Sequence, residues 1–397
     1  MKKYHIMAAI LTAVSLLLYG TFTLIIGGVA SKLESQQVVS RWVSDDSKYA
    51  QLSAFLSPLA KKSGDDIDGS LASAIDSAMV AASISPADED ARLYAYAYSG
   101  EADVTLSMRS PETGMTMKSG VKATALGVGA DFFLFHPLKM LSGQYFNAAE
   151  RVLNDQVIID NDLAWQFFGS PDVVGRELLI GKKSVYIAGV CEVDGDYAEF
   201  YGEQPRIFMS YSLLSTLKSD LCVTAVEVVM PDPVTDFASG ILEDNIGVSE
   251  AYVEIVENSA RFTDSSLRAR LGDFAGRSVR TKLVVYPYWE NTAVKLTDAA
   301  ALLYIGKLVP LVVVIGLLVI EVVLIYVKRR AIAEAIAERV RRAWRSHQQN
   351  KRHKPPKLPK ARRTKALKAK KSAPQLDEPK VQPMQTPSAQ EKDGHKG

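Results

Sequence analysis

The chain has 397 residues, 47% of them hydrophobic and 23% charged, with a formal net charge of only +2. That length allows two or three domains, and so small a net charge excludes a chain built along its whole length for nucleic acid. Two cysteines without metal-ligand spacing around either one argue against a cysteine-based metal site.

Residues 6–29 contain no charged side chain and exceed the roughly 20 residues that cross a hydrocarbon core. Lys2 and Lys3 precede them, as expected for a cytoplasmic N-terminus. A cleaved signal peptide ending at Gly28-Val29-Ala30 is the competing reading; the apolar run is longer than a signal core, which favours a retained helix. Beyond it, residues 30–42 are expected to continue the helix outward as a stalk.

Helices are predicted at 48–60 and 69–82, the second from Leu71, Ile75, Ala78, Met79 and Ala82 at helical spacing. Strands are then expected at 93–98, 104–108 and 121–128, with a short helix or turn over 131–141. Residues 156–159 read as a strand, and 161–168 as a short helix stopped by Gly169-Ser170-Pro171. A hairpin joins 177–180 to 184–193 through Gly181-Lys182-Lys183. Further strands are predicted at 206–210, 225–229 and 282–286, with helices at 235–245 and 265–274. Mixed elements without strict βαβ alternation predict an α+β domain, in two lobes.

The second apolar stretch, 308–327, is interrupted only by Glu321 and is followed at once by Lys328, Arg329 and Arg330. Residues 31–327 hold 24 Lys+Arg against 38 Asp+Glu with Glu321 set aside, whereas residues 328–397 hold 21 against 6. Both ends therefore predict cytoplasmic termini and an extracytoplasmic segment 31–307 in a cell-membrane protein. The expected order is a transmembrane helix (1–30), an external α+β domain (31–307), a second transmembrane helix (308–327), a basic amphipathic helix (328–345) and a disordered tail (346–397). Arg329, Arg330, Arg341, Arg342 and Trp344 are candidate contacts for anionic lipid or an ATPase. No nucleic acid is expected there, since no recognition fold accompanies the charge.

Glu321 lies roughly 10 Å inside the cytoplasmic end of its helix at 1.5 Å per residue. A carboxylate at such depth calls for a partner or a proton. Thr12, Ser15, Tyr19, Thr21 and Thr23 on the first helix are candidate neighbours; contact with a second subunit, snorkelling toward Lys328 and a proton or ion relay are the alternatives. Cys191 and Cys222 both fall outside, where a disulfide and two buried thiols remain equally open.

Within residues 121–230 several spaced elements occur in order. They are Ala125-Leu-Gly-Val-Gly-Ala-Asp131-Phe132-Phe133, Pro137-Leu-Lys-Met-Leu141 with Ser142-Gly143-Gln-Tyr-Phe146, Val157 to Gly175 through Phe168-Gly169, the hairpin Glu177 to Val190, and Pro205 to Tyr211. This run resembles the extracytoplasmic core domain of MacB-like, FtsX-family ABC transporter permeases. The resemblance implies an ABC ATPase, fused or separate; none is read in this chain, so a separate ATPase is the expected partner, a second permease subunit is a candidate one, and no catalysis or cofactor is expected here. Such permeases usually carry three membrane helices after the domain, whereas one is visible here. Gly143, Gly169, Gly175 and Gly181 sit where turns need a permissive backbone. Phe132, Phe146, Phe167, Phe168 and Tyr186 read as core aromatics.

Other chemistry is not supported. Gly175 to Ser184 has five residues between its glycines instead of four, and Lys183 stands at the Ser/Thr position of a phosphate loop. His136 has no catalytic context and reads as structural or surface. Glu192, Asp194, Asp196 and Glu199 form an acidic turn without a calcium-loop pattern. The expected function is a non-catalytic permease-like subunit coupling a separate ATPase to the external domain for export or mechanotransmission. The alternative is a membrane-anchored envelope adaptor or sensor that binds proteins through that domain.

Overall fold

The architecture is that of a computed structural model, which describes residues 2–42, 48–85, 92–109, 113, 115–148, 155–192, 204–273 and 283–352. It divides into two units, 1–324 and 325–397.

The first unit is built on a ten-stranded sheet ordered β10-β1-β9-β2-β3-β8-β5-β7-β4, with β6 against β2 and β7. The strands are β1 (Tyr49–Leu56), β2 (Ala95–Arg109), β3 (Thr116–Ala130), β4 (Met140–Gly143), β5 (Gln156–Asp160), β6 (Glu177–Ile180), β7 (Lys183–Cys191), β8 (Arg206–Ser210), β9 (Ala225–Pro231) and β10 (Val253–Glu257). The β3–β8 and β5–β7 pairs are parallel and all others antiparallel. One apolar cluster packs the helix Ala72–Ala81 and the helix Phe237–Asn245 onto β1, β9 and β10. A second packs Asn161–Phe168 and Tyr211–Leu217 onto β5, β6, β7 and β8. A third lies around Phe55, Phe132, Phe135, Phe208 and Trp289.

Local chemistry explains several of these elements. Asp160 caps the helix Asn161–Phe168 by accepting from Leu163 N at 2.8 Å, and Gly169 closes it at φ +67°. Gly143 is also at positive φ, +74°, and a Cβ there would in addition run into the backbone of Ala188 and Gly189.

Four sequence expectations are corrected. Residues 48–60 are not a helix: Tyr49–Leu56 is a strand with seven of its eight residues buried. Its Ala and Leu content suits a helix, but burial on both faces within the sheet overrides that propensity and erases the alternation. The stalk is not continuous, since the first helix stops at Ala30 and a short helix, Val38–Trp42, tucks Val38 into the core. Gln37 Nε2 donates to Ala30 O at 2.9 Å and helps close that helix end. Residues 283–286 form no strand, making 3.5 Å backbone contacts to Ala251 and Leu56; Lys282 lies outside the described residues. Tyr186 is 43% exposed, unlike the buried Phe132, Phe146 and Phe167. Its ring stands on the solvent side of β7, where alternate positions point outward.

A long helix, Tyr288–Arg352, begins in the core and carries the apolar stretch from Leu308. It and Lys2–Ala30 provide two helices long and apolar enough to cross a membrane. In the second unit, residues 325–352 are helical; residues 353–397, most of the expected disordered tail, lie outside the described residues.

Candidate functional site: a buried polar junction at the root of the long helix

Trp289 and Glu290 open the first turn of the long helix inside the domain core, 7% and 3% exposed. A carboxylate in a first helical turn faces the unpaired backbone N–H groups there, which favours it. Arg261, on the turn after β10, grips that carboxylate: Nη1 reaches Oε1 at 3.0 Å, and Nη2 reaches Oε1 at 2.9 Å and Oε2 at 2.8 Å. Burial pushes the Glu290 carboxyl up, to about 7, while Arg261 pulls it back toward its ordinary range.

The contact continues into the sheet. Arg261 Nη2 donates to Asn258 Oδ1 at 3.0 Å, and Asn258 Nδ2 donates to Ser53 Oγ at 2.8 Å. Ser53 donates to Glu227 Oε1 at 3.1 Å, and the two are register partners on β1 and β9. Glu227 Oε2 meets His136 Nε2, with both side chains 4% exposed. His136 in turn lies under Trp289, ring centroids 4.2 Å apart, which closes the circuit on the long helix. The set holds two carboxylates, one guanidinium and one imidazole, all buried. Removing one member of such a set leaves its partner desolvated and unpaired.

Below this circuit, the helix Asp264–Gly272 clasps the same long helix. Arg270 Nε pairs with Asp298 Oδ1 at 2.8 Å, and Lys307 Nζ with Asp264 Oδ1 at 2.7 Å. Leu267 packs with Ile26, Ala300, Ala301 and Tyr304, bringing the first helix into the clasp. Farther along, Phe22 covers Gly306 so closely that a Cβ there would meet its ring at 2.7 Å.

Glu321 meets His5 of the first helix, with Nδ1 to Oε1 at 3.0 Å. Of the expected hydroxyl neighbours, Thr21 and Thr23 each donate to their own helix, at 2.9 Å, and the Tyr19 ring lies 5.2 Å from Lys307 Nζ. Cys191 and Cys222 form no disulfide among the described residues; Cys191 is buried, and Cys222 is half-buried with its Sγ 3.7 Å from Pro58 O. In the second unit, Arg329 lies over the Tyr326 ring at 4.6 Å, Arg342 pairs with Glu338 at 3.0 Å, and Arg330, Arg341 and Trp344 are exposed. Asp194, Asp196 and Glu199 of the acidic turn lie outside the described residues. Among the described residues, no three His, Cys, Asp or Glu side chains are arranged to hold a metal ion.

The junction was not visible in the sequence. Gln51, Ser53 and Glu227, polar residues inside strongly apolar strands, were the available signal, since buried polar groups need partners.

Comparison with known proteins adds the family context. The family model described as MacB-like periplasmic core domain matches residues 10–241. A macrolide export ATP-binding/permease protein MacB of Chromobacterium violaceum is 27% identical over 172 residues, 40% of this chain and 26% of that protein. Its namesake from Pasteurella multocida is 31% identical over 93 residues, 23% of this chain and 14% of that protein. The chain thus spans about a quarter or less of the length of these curated relatives. Among solved structures, the periplasmic region of MacB from Actinobacillus actinomycetemcomitans aligns with a TM-score of 0.35 and 14% identity, covering 53% of this chain and 89% of that one. The extracellular domain of the noncanonic ABC-type transporter YknZ from Gram-positive bacteria gives 0.33 and 15%, covering 52% and 99%.

Proposed function

The chain belongs to the MacB-like periplasmic core domain family, and on that premise we propose that it is a non-catalytic, permease-like subunit of a MacB/FtsX-type ABC transporter system. A separate ATPase acts on the cytoplasmic side, and the external domain moves with the membrane helices for export or mechanotransmission. Residues 31–307 are then extracytoplasmic, and Arg329, Arg330, Arg341, Arg342 and Trp344 face anionic lipid or the ATPase.

One observation supports the reading most. The helix bearing the second apolar stretch is rooted in the domain core by the Arg261–Glu290 pair and clasped by Arg270–Asp298 and Lys307–Asp264. Force along such a helix has no compliant linker to dissipate in, because ion pairs and packed side chains fix its root.

The test is purification from native membranes under mild detergent. Co-purification of an ABC ATPase, with or without a second permease, is the expected result. Repeated isolation with neither would sink the proposal. Recovery of a different stable partner, lost on deletion of residues 351–397, would identify an adaptor instead.

A further inference from the structure

Along the long helix the packing stops abruptly. Ala293, Thr297, Ala300, Tyr304, Lys307 and Pro310 are buried in turn, whereas none of residues 311–330 is. At that boundary stand the two residue types that most weaken a helix. Pro310 is the one proline of the long helix, and it brings no N–H for the carbonyl of Gly306, four residues back. Gly306 has no side chain, and the Phe22 ring of the first helix fills the space that a Cβ would take. Between the two, Lys307 Nζ reaches Asp264 Oδ1 at 2.7 Å and Oδ2 at 3.0 Å.

We infer that the long helix bends at Gly306–Pro310, on Phe22 as the fulcrum, and that the Lys307–Asp264 ion pair is the catch that limits the bend. A missing backbone hydrogen bond removes one rung of the ladder that keeps a helix straight, and glycine leaves the backbone beside it free to move. On the domain side, Arg270–Asp298 and the buried positions fix the helix. On the other side, His5 ties Glu321 to the first helix, so that helix follows the swing. Axial force still passes along the continuous helix, while sideways load tilts the domain against the membrane. This deepens the coupling reading and rests on it for the load that drives the bend.

Val322 lies about 18 Å beyond Pro310 at 1.5 Å per residue, so a bend of about 20° moves it by about 6 Å. The experiment measures spin-label distances by double electron–electron resonance on the full chain in phosphatidylcholine nanodiscs, with Cys191→Ala and Cys222→Ser as background. One pair, Arg268→Cys with Val322→Cys, spans the pivot. A control pair, Arg268→Cys with Leu302→Cys, stays on its domain side; all three sites are exposed. The spanning distribution should exceed the control in width by up to about 6 Å. Pro310→Ala should narrow it to the control's width, and Asp264→Asn should widen it further. The control pair should keep its distance in both variants, which shows that the domain and clasp stay folded. No ATPase is present, so a bend seen here stands even where no ATPase co-purifies, and an absent bend leaves the transport test untouched. A spanning distribution no wider than the control, or one that Pro310→Ala does not narrow or Asp264→Asn does not widen, would overturn the inference.

Discussion

Arg261 and Glu290 form a nearly sealed ion pair, with side chains 6% and 3% exposed and their closest approach 2.8 Å. It joins the turn after β10 to the first turn of the long helix, so sheet and helix cannot separate without opening it.

Breaking one side of that pair leaves a desolvated charge. Arg261→Met or Glu290→Leu alone should lower stability by about 3–5 kcal/mol, whereas the double substitution should recover much of the loss. Thermal melts of the full chain in nanodiscs measure this. Single losses that simply add in the double variant would show that the two side chains do not act together.

Gly306 makes a second prediction, through its contact with Phe22. Gly306→Val should force the two helices apart at a cost of about 1–3 kcal/mol, as overpacking does. Phe22→Ala should relieve it, because the obstacle is that ring. A Gly306→Val defect unchanged by Phe22→Ala would show that the close contact is not what glycine serves.

His5 and Glu321 should couple in a double-mutant cycle with leucine replacements. The expected interaction is on the order of 0.6–1.7 kcal/mol, the range for polar pairs between membrane helices. A coupling indistinguishable from zero would return Glu321 to solvent or lipid headgroups.

Asp160 predicts a pH dependence. Burial pushes its carboxyl from an ordinary 3.8 up to about 6, although Leu163 N and Arg206 N both donate to it. The folded state therefore holds this proton more tightly than the unfolded chain. Its contribution is fully present below pH about 4 and is lost as pH rises through about 6. Asp160→Asn should remove that part of the slope in melts between pH 4 and 7, while costing about 1–2 kcal/mol because one of the two side-chain oxygens that accept from backbone N–H groups is lost. An unchanged slope would refute the assignment.

Locally encoded features were legible. Gly143, Gly169, Gly175 and Gly181, expected at permissive turns, all have positive φ. The helix Asn161–Phe168 and the strand Arg206–Ser210 fall where the pattern places them, because their caps and periodicity lie within a few residues. Tyr49–Leu56 was misread because its buried environment comes from β9 and β10, which lie far along the chain.

By itself, the sequence determined the two apolar helices, the acidic and basic division, the turn glycines and the family's run of spaced elements. Each depends on neighbours close in the chain or on composition alone. Only the tertiary structure decided that Ser53 meets Glu227, that Arg261 seizes Glu290, and that His5 answers Glu321. Those pairings join side chains up to 316 positions apart. No local pattern encodes such a meeting, since burial creates the demand for a partner and only the folded packing determines which group supplies it.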